Sequence, residues 1–274
     1  MAKGGTSMRN DIAALTQAPE PQRSALRAFV SAAREDERIA AAFIGGSFAS
    51  GSWDAHSDLD LYVVVEEDAY DAFFADRREF VGRLGALLLA EDFNGFGFDM
   101  LVFLTDAGAE GELGIGRRSG FGEMHGGPYI AVKDAGGVLP AEFPMVGPSD
   151  EQRAASLRRT VAWFWRHLAL FATAAARGRT WSAFTYLDAA RREAFDLVWL
   201  LERPEGWPEA YEKAELHLDA ATLDVLARTV TPLDLDAMRS AARALAAFVA
   251  DRAPDQVATR DLGRQVTSRL SDEA

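Results

Sequence analysis

Apolar side chains first recur at a helical period between Leu26 and Ala33. Leu26, Phe29, Val30 and Ala33 share one face, which predicts a helix starting near Pro21. The pattern then shifts. "RIAAAFIGG" is a short apolar run stopped by glycines and predicts a buried strand. "DLDLYVVV" is rich in β-branched residues and predicts a second strand. Tyr70, Phe73, Phe74, Arg77, Phe80, Val81 and Leu84 suit a helix that covers a sheet. "FDMLVFL" predicts a third strand, "TDAGAEG" is turn chemistry, and "ELGIG" predicts a fourth strand paired with the third as a hairpin. A Gly-rich stretch, "RRSGFGEMHGGPY", leads into "IAVKDAGGVLP", which reads as strand, glycine turn and exit.

After "PAEFPMVGPSD" the pattern becomes helical. "AASLRRTVAWFWRHLALFATAAARG" predicts one long amphipathic helix ended by Gly178, and "WSAFTYLDAARREAFDLVWLLERPEG" a second stopped by Pro204. "PEAYEKAELHL", "DAATLDVLARTV" and "LDLDAMRSAARALAAFVADRA" predict further helices. The expected organisation is a flexible leader over residues 1–20, a first domain over 21–148 and a helical domain over 149–274.

Composition agrees with two domains: the chain has 274 residues, of which 49% are hydrophobic, enough to fill two cores. A formal net charge of -13 disfavours nucleic-acid phosphates and favours a cationic small molecule. There are no cysteines, which excludes disulfides, thiolate chemistry and Cys-based zinc sites. The first residues do not read as a signal peptide, and no stretch is apolar enough to span a bilayer, so the expected location is the cytoplasm, without membrane association.

The chemistry concentrates between Gly45 and Val65, "GGSFASGSWDAHSDLDLYVVV". Strand side chains alternate, so Asp58 and Asp60 point one way while Leu59 and Leu61 point into the core. Two carboxylates about 6–7 Å apart at their Cα atoms can share a divalent cation that keeps waters and phosphates in its other positions. The plainer alternative is an acidic, solvated strand. Gly45, Gly46 and Ser47 end the preceding strand, where glycine lets backbone amides approach a phosphate and serine adds a hydroxyl. Alone, they would read as an ordinary turn. No GK[ST] follows these glycines and no GxGxxG opens a helix, so neither a Walker A loop nor a dinucleotide fold is supported.

This stretch resembles the signature of the nucleotidyltransferase superfamily that includes DNA polymerase beta: a GS pair, a short helix or turn, then a strand beginning DxD. Within it the chain resembles the antibiotic nucleotidyltransferases, both aminoglycoside and lincosamide kinds. The resemblance covers roughly residues 25 to 145, and the helical half follows only in general character. It implies an α+β fold, a mixed β-sheet nucleotidyltransferase domain with flanking helices, followed by an all-α helical bundle domain. It also implies Mg2+ or Mn2+ on Asp58 and Asp60, and a nucleoside triphosphate, ATP first, as co-substrate steadied by Gly46, Ser47 and Ser57.

Family members use a third acid from a neighbouring strand, and two residues compete for that place. Asp99 begins the third strand, and Glu112 begins the second arm of the hairpin. A glycine–glutamate pair in several antibiotic enzymes favours Glu112, as metal ligand and as base for the acceptor hydroxyl. "VKDAGG" resembles a turn of the antibiotic branch, which brings Lys133 towards the nucleotide and leaves Asp134 capping the turn. His56, Arg117 and Arg118 are candidates for phosphate contact or solvated surface, and Glu123 and His125 are reserve acid–base groups. Trp163, Trp165 and His167 read as core or cleft lining, and Arg191, Arg192 and Glu193 as surface charge or cleft lining.

The expected reaction is metal-dependent transfer of a nucleoside monophosphate to a hydroxyl of a small acceptor, an aminoglycoside or a lincosamide. A protein- or nucleic-acid-directed nucleotidyltransferase and a non-catalytic nucleotide-binding module are the alternatives. Oligomeric state is left open between monomer and homodimer.

Overall fold

The computed structural model describes residues 12–145, 147–203, 206–254 and 260–271. Contacts divide the chain into two compact units at Met145. Of the leader expected over residues 1–20, residues 1–11 lie outside the described residues. Ile12–Gln17 forms a 3-10 helix, and Leu15 and Ala18 are buried.

The first unit is a six-stranded mixed sheet with helices on one face. α1 (Gln22–Glu35) precedes β1 (Ile39–Ile44), a short helix α2 (Gly46–Ser50) and β2 (Leu59–Val65). α3 (Tyr70–Gly82), β3 (Leu87–Phe93), β4 (Asp99–Thr105), β5 (Glu110–Arg117) and β6 (Ile130–Asp134) follow. The strand order is β3-β4-β5-β2-β1-β6, with β2 and β5 parallel and the other pairs antiparallel. The β4–β5 hairpin matches the one expected from "FDMLVFL" and "ELGIG". β3 was not anticipated. "LLLAEDF" has neither period-2 alternation nor β-branched residues, and as an edge strand it is largely exposed.

Alternation divides the sheet chemically. Leu59, Leu61, Val63, Leu113 and Ile115 are buried in one core with Phe29 of α1 and Phe73 and Phe80 of α3. The opposite face carries Ala41 and Phe43 against Phe143. Asp60 and Tyr62 alternate with the buried leucines and therefore share that second face.

The second unit is all helical: α4 (Asp150–Ala176), α5 (Thr180–Glu202), α6 (Ala214–His217), α7 (Ala220–Ala227), α8 (Leu235–Arg252) and α9 (Arg260–Ser271). A reciprocal capping box between Ser149 and Gln152 starts α4. Gly178, at φ +65°, follows its end, as the sequence implied. Val161, Phe164, Leu168, Phe171, Leu197 and Leu245 form the core. "PEAYEKAELHL" yields only the four residues of α6, because Ala210 and Lys213 take positive φ and interrupt the helix. α9 was not anticipated, since its sequence is mostly polar.

Candidate active site

Asp60 and Glu112 lie directly beside each other on the parallel strands β2 and β5. On the other side of Asp60, the Gly45 amide donates to the Asp60 carbonyl at 2.9 Å. Gly45, just past the end of β1, thus lies in line with Asp60 and Glu112 on β2 and β5. Gly111, next to Glu112, allows this approach, because a β-carbon there would sit 2.7 Å from Leu59 Cβ. Asp58 lies just ahead of β2 and is exposed, whereas Asp60 and Glu112 are half-buried. Burial, and then the charge of Asp58, push the Glu112 carboxyl above the usual glutamate range.

The turn after β1 closes onto the Asp60–Glu112 rung. Gly46 has φ +55°, and a β-carbon there would lie 2.5 Å from Asp60 Cγ, so only glycine fits. The next residue, Ser47, has a buried Oγ with no hydrogen-bond partner among the described residues. A buried hydroxyl left unmatched is unfavourable unless something else completes it.

The approach to Asp58 is held by a small polar loop. Asp54 Oδ1 accepts from the His56 amide at 2.8 Å, and Ser57 Oγ accepts from the Asp54 amide at 2.9 Å. Gln22 of α1, itself buried, donates to the Ala55 and Ser57 carbonyls at 3.2 and 3.1 Å. Ser57 therefore shapes the loop through its side chain, and the His56 ring is exposed.

Asp99 is placed elsewhere. It pairs with Ile115 on the helix-covered face and accepts from the Tyr70 hydroxyl at 2.6 Å. Glu112, three positions before Ile115, faces the other way. Lys133 is paired with Ala42, and its Nζ donates to the Asp36 carbonyl at the end of α1, 2.7 Å away. It is not brought to the acids. Arg117 pairs with Asp71 and lies over the Tyr70 ring, while Arg118 pairs with Glu66. Both stand at the far end of β5 from Glu112. Asp134 Oδ1 accepts from the Val138 amide and so caps the turn.

Glu123 is exposed. His125 packs 5.3 Å from Phe43 and 5.0 Å from Tyr62, and its Nε2 is 3.0 Å from the Pro128 carbonyl. Burial lowers its pKa, so the ring favours the neutral form. Tyr62 itself was not singled out from the sequence. The signal was present, since it continues the alternation Asp58, Asp60, Tyr62 on one face.

In the helical unit, Trp165 is buried and packs against Gly263, while Trp163 is exposed and lies 5.4 Å from the His167 ring, tilted by 34°. Arg191 is buried and bound to Asp188 and Thr229. Glu193 Oε1 is 3.9 Å from His167 Nδ1.

Asp60 and Glu112, neighbours across β2 and β5, and Asp58 just ahead of β2 offer carboxylate oxygens, the donor type of a hard cation. Among the described residues, no three acidic, His or Cys side chains are gathered to hold a metal by themselves.

Residues 26–92 match the family model described as "Nucleotidyltransferase domain". The first unit is in this respect nucleotidyltransferase-like. Comparison with curated protein sequences returns no match. Among solved structures, the chain is similar to an aminoglycoside 6-adenyltransferase from Bacillus subtilis, with 12% identity and TM-score 0.34, covering 92% of this chain and 90% of that one. It is also similar to a nucleotidyltransferase-like protein from Exiguobacterium sibiricum 255-15, with 10% identity and TM-score 0.35, covering 90% and 87%. No helix among the described residues is long and apolar enough to cross a membrane.

Proposed function

We propose that the protein transfers a nucleoside monophosphate from a nucleoside triphosphate, ATP first among them, to a hydroxyl of a small acceptor of the aminoglycoside or lincosamide kind. The observation that carries this is the Asp60–Glu112 rung, with Asp58 at its edge and the unmatched Ser47 hydroxyl in the adjoining turn. Asp58, Asp60 and Glu112 would hold Mg2+ or Mn2+ together with the triphosphate. The cation supplies positive charge against the phosphates and the departing pyrophosphate.

The chain's own residues do the rest. Ser47 Oγ donates to a phosphate oxygen, which completes its hydrogen bonding. Gly46 leaves room for Asp60 beside the turn. Glu112 accepts the proton of the acceptor hydroxyl, and the upward shift from burial and the Asp58 charge makes it the stronger base. The acceptor oxygen forms a bond to the α-phosphorus as the bond to pyrophosphate breaks. The products are a nucleotidylated acceptor and pyrophosphate. The net charge of -13 favours a cationic acceptor, which supports an aminoglycoside first.

The test incubates purified protein with Mg2+, each of the four nucleoside triphosphates and a panel of aminoglycosides and lincosamides. Mass spectrometry then looks for an acceptor heavier by one nucleoside monophosphate. Metal-dependent gain supports the proposal. No gain with any acceptor, together with no nucleotide binding, overturns it.

A further inference from the structure

Tyr62 sits at the same face of β2 as the acids, two residues beyond Asp60. Its ring is fixed on both sides. Phe43, its partner on β1, stacks against it with centroids 4.7 Å apart and planes 8° from parallel. Its partner on β5 is Gly114, where a β-carbon would lie 2.7 Å from Tyr62 Cδ1 and 3.0 Å from Cε1. The missing side chain at Gly114 is therefore the space the ring occupies.

The ring also leans. A β-carbon on Gly45 would lie 3.0 Å from Tyr62 Cε2, although Gly45 lies in line with Asp60 and Glu112 and not with Tyr62. The outer end of the phenol is thus carried back towards the acids. The His125 ring closes the remaining side at 5.0 Å. The Pro128 carbonyl can only accept, so His125 Nε2 carries the proton in the bond that fixes this ring. A phenol, with an ordinary pKa of about 10, keeps its proton throughout the neutral range. The result is a donor leaning towards a rung whose side chains only accept.

We propose that Tyr62 is a positioning residue: its hydroxyl donates to the Asp60 carboxylate and fixes which oxygen lone pairs remain for the ligand. In its consequence for ligand binding, this inference rests on the nucleotidyl-transfer reading given above. Tyr62 touches neither nucleotide nor acceptor in this scheme and acts through Asp60.

Two readouts test it on the full chain. The first is Mn2+ binding, by electron paramagnetic resonance, in the presence of a non-hydrolysable ATP analogue. Tyr62→Phe should weaken it roughly tenfold, the scale of a hydrogen bond to a charged group, and leave cooperative unfolding intact. The second is the Cζ resonance of Tyr62 in protein labelled with 13C-tyrosine, assigned by its loss in Y62F. It should move in Asp60→Asn without any ligand present. A wild-type protein that binds no metal–nucleotide overturns the transfer reading and the ligand consequence, while the labelled-tyrosine result still decides the Tyr62–Asp60 bond. Wild-type Mn2+ affinity in Y62F, or a Tyr62 resonance indifferent to D60N, overturns the inference.

Discussion

The Asp60 carboxylate fills the space that a side chain at Gly46 would need: a β-carbon there would lie 2.5 Å from Asp60 Cγ. With φ at +55°, alanine at this position also strains the backbone by about 1–2 kcal/mol. Gly46→Ala should therefore lower the urea midpoint and displace Asp60. Displacing a reacting group by about 1 Å can reduce turnover on the order of 100-fold. Wild-type transfer by a folded G46A protein would show that Asp60 need not stay against the turn.

Ser47 gives the opposite signature. Its hydroxyl is buried and without a partner among the described residues, so Ser47→Ala removes an unmatched donor. Stability by denaturant titration should hold or rise, since leaving such a group unpaired costs about 1–3 kcal/mol. Nucleotide affinity, measured by calorimetry, should fall roughly tenfold with the lost bond to phosphate. A destabilised S47A with unchanged affinity would assign the hydroxyl a structural role.

Glu112 and Asp99 should separate cleanly. Asp99→Asn weakens the hydrogen bond from Tyr70 and should lower stability by about 1 kcal/mol with transfer preserved. Glu112→Gln should reduce transfer by about 100-fold or more with the fold preserved. If D99N loses turnover and E112Q keeps it, the proton acceptor has been placed on the wrong face of the sheet.

The helical unit carries a pH dependence of its own. Burial first, and then the charge of Asp196, push the Glu193 carboxyl from 4.5 up to about 7, with Arg159 opposing. The folded state then binds a proton that the unfolded state has lost, so Glu193 lowers stability as pH rises from about 4.5 to about 7. Glu193→Gln should raise the melting temperature at pH 8 and leave it unchanged at pH 4. Equal effects at both values would remove titration as the cause.

The two acids and the glycine–serine turn were legible because strand alternation and φ demands are local properties of sequence. Choosing Glu112 over Asp99 rested on resemblance. The structure adds the register: Asp60 pairs with Glu112, while Asp99 pairs with Ile115 on the opposite face. Register across a parallel pair depends on contacts distant in sequence and leaves no local mark. The reach of Lys133 to the Asp36 carbonyl follows from the meeting of α1 with β6, which a local motif does not encode. The Tyr62 ring takes its direction from Gly114 on β5 and Gly45 just past β1, both distant from it in sequence. β3 escaped notice because an exposed edge strand need not alternate.

The most direct test of the central claim compares wild type with Asp60→Asn, using ATP labelled at the α-phosphate, Mg2+ and an aminoglycoside acceptor. The expected result is label on the acceptor with wild type and metal, and none with D60N, although both proteins unfold at similar temperatures. A folded D60N protein that labels the acceptor at the wild-type rate would contradict the account.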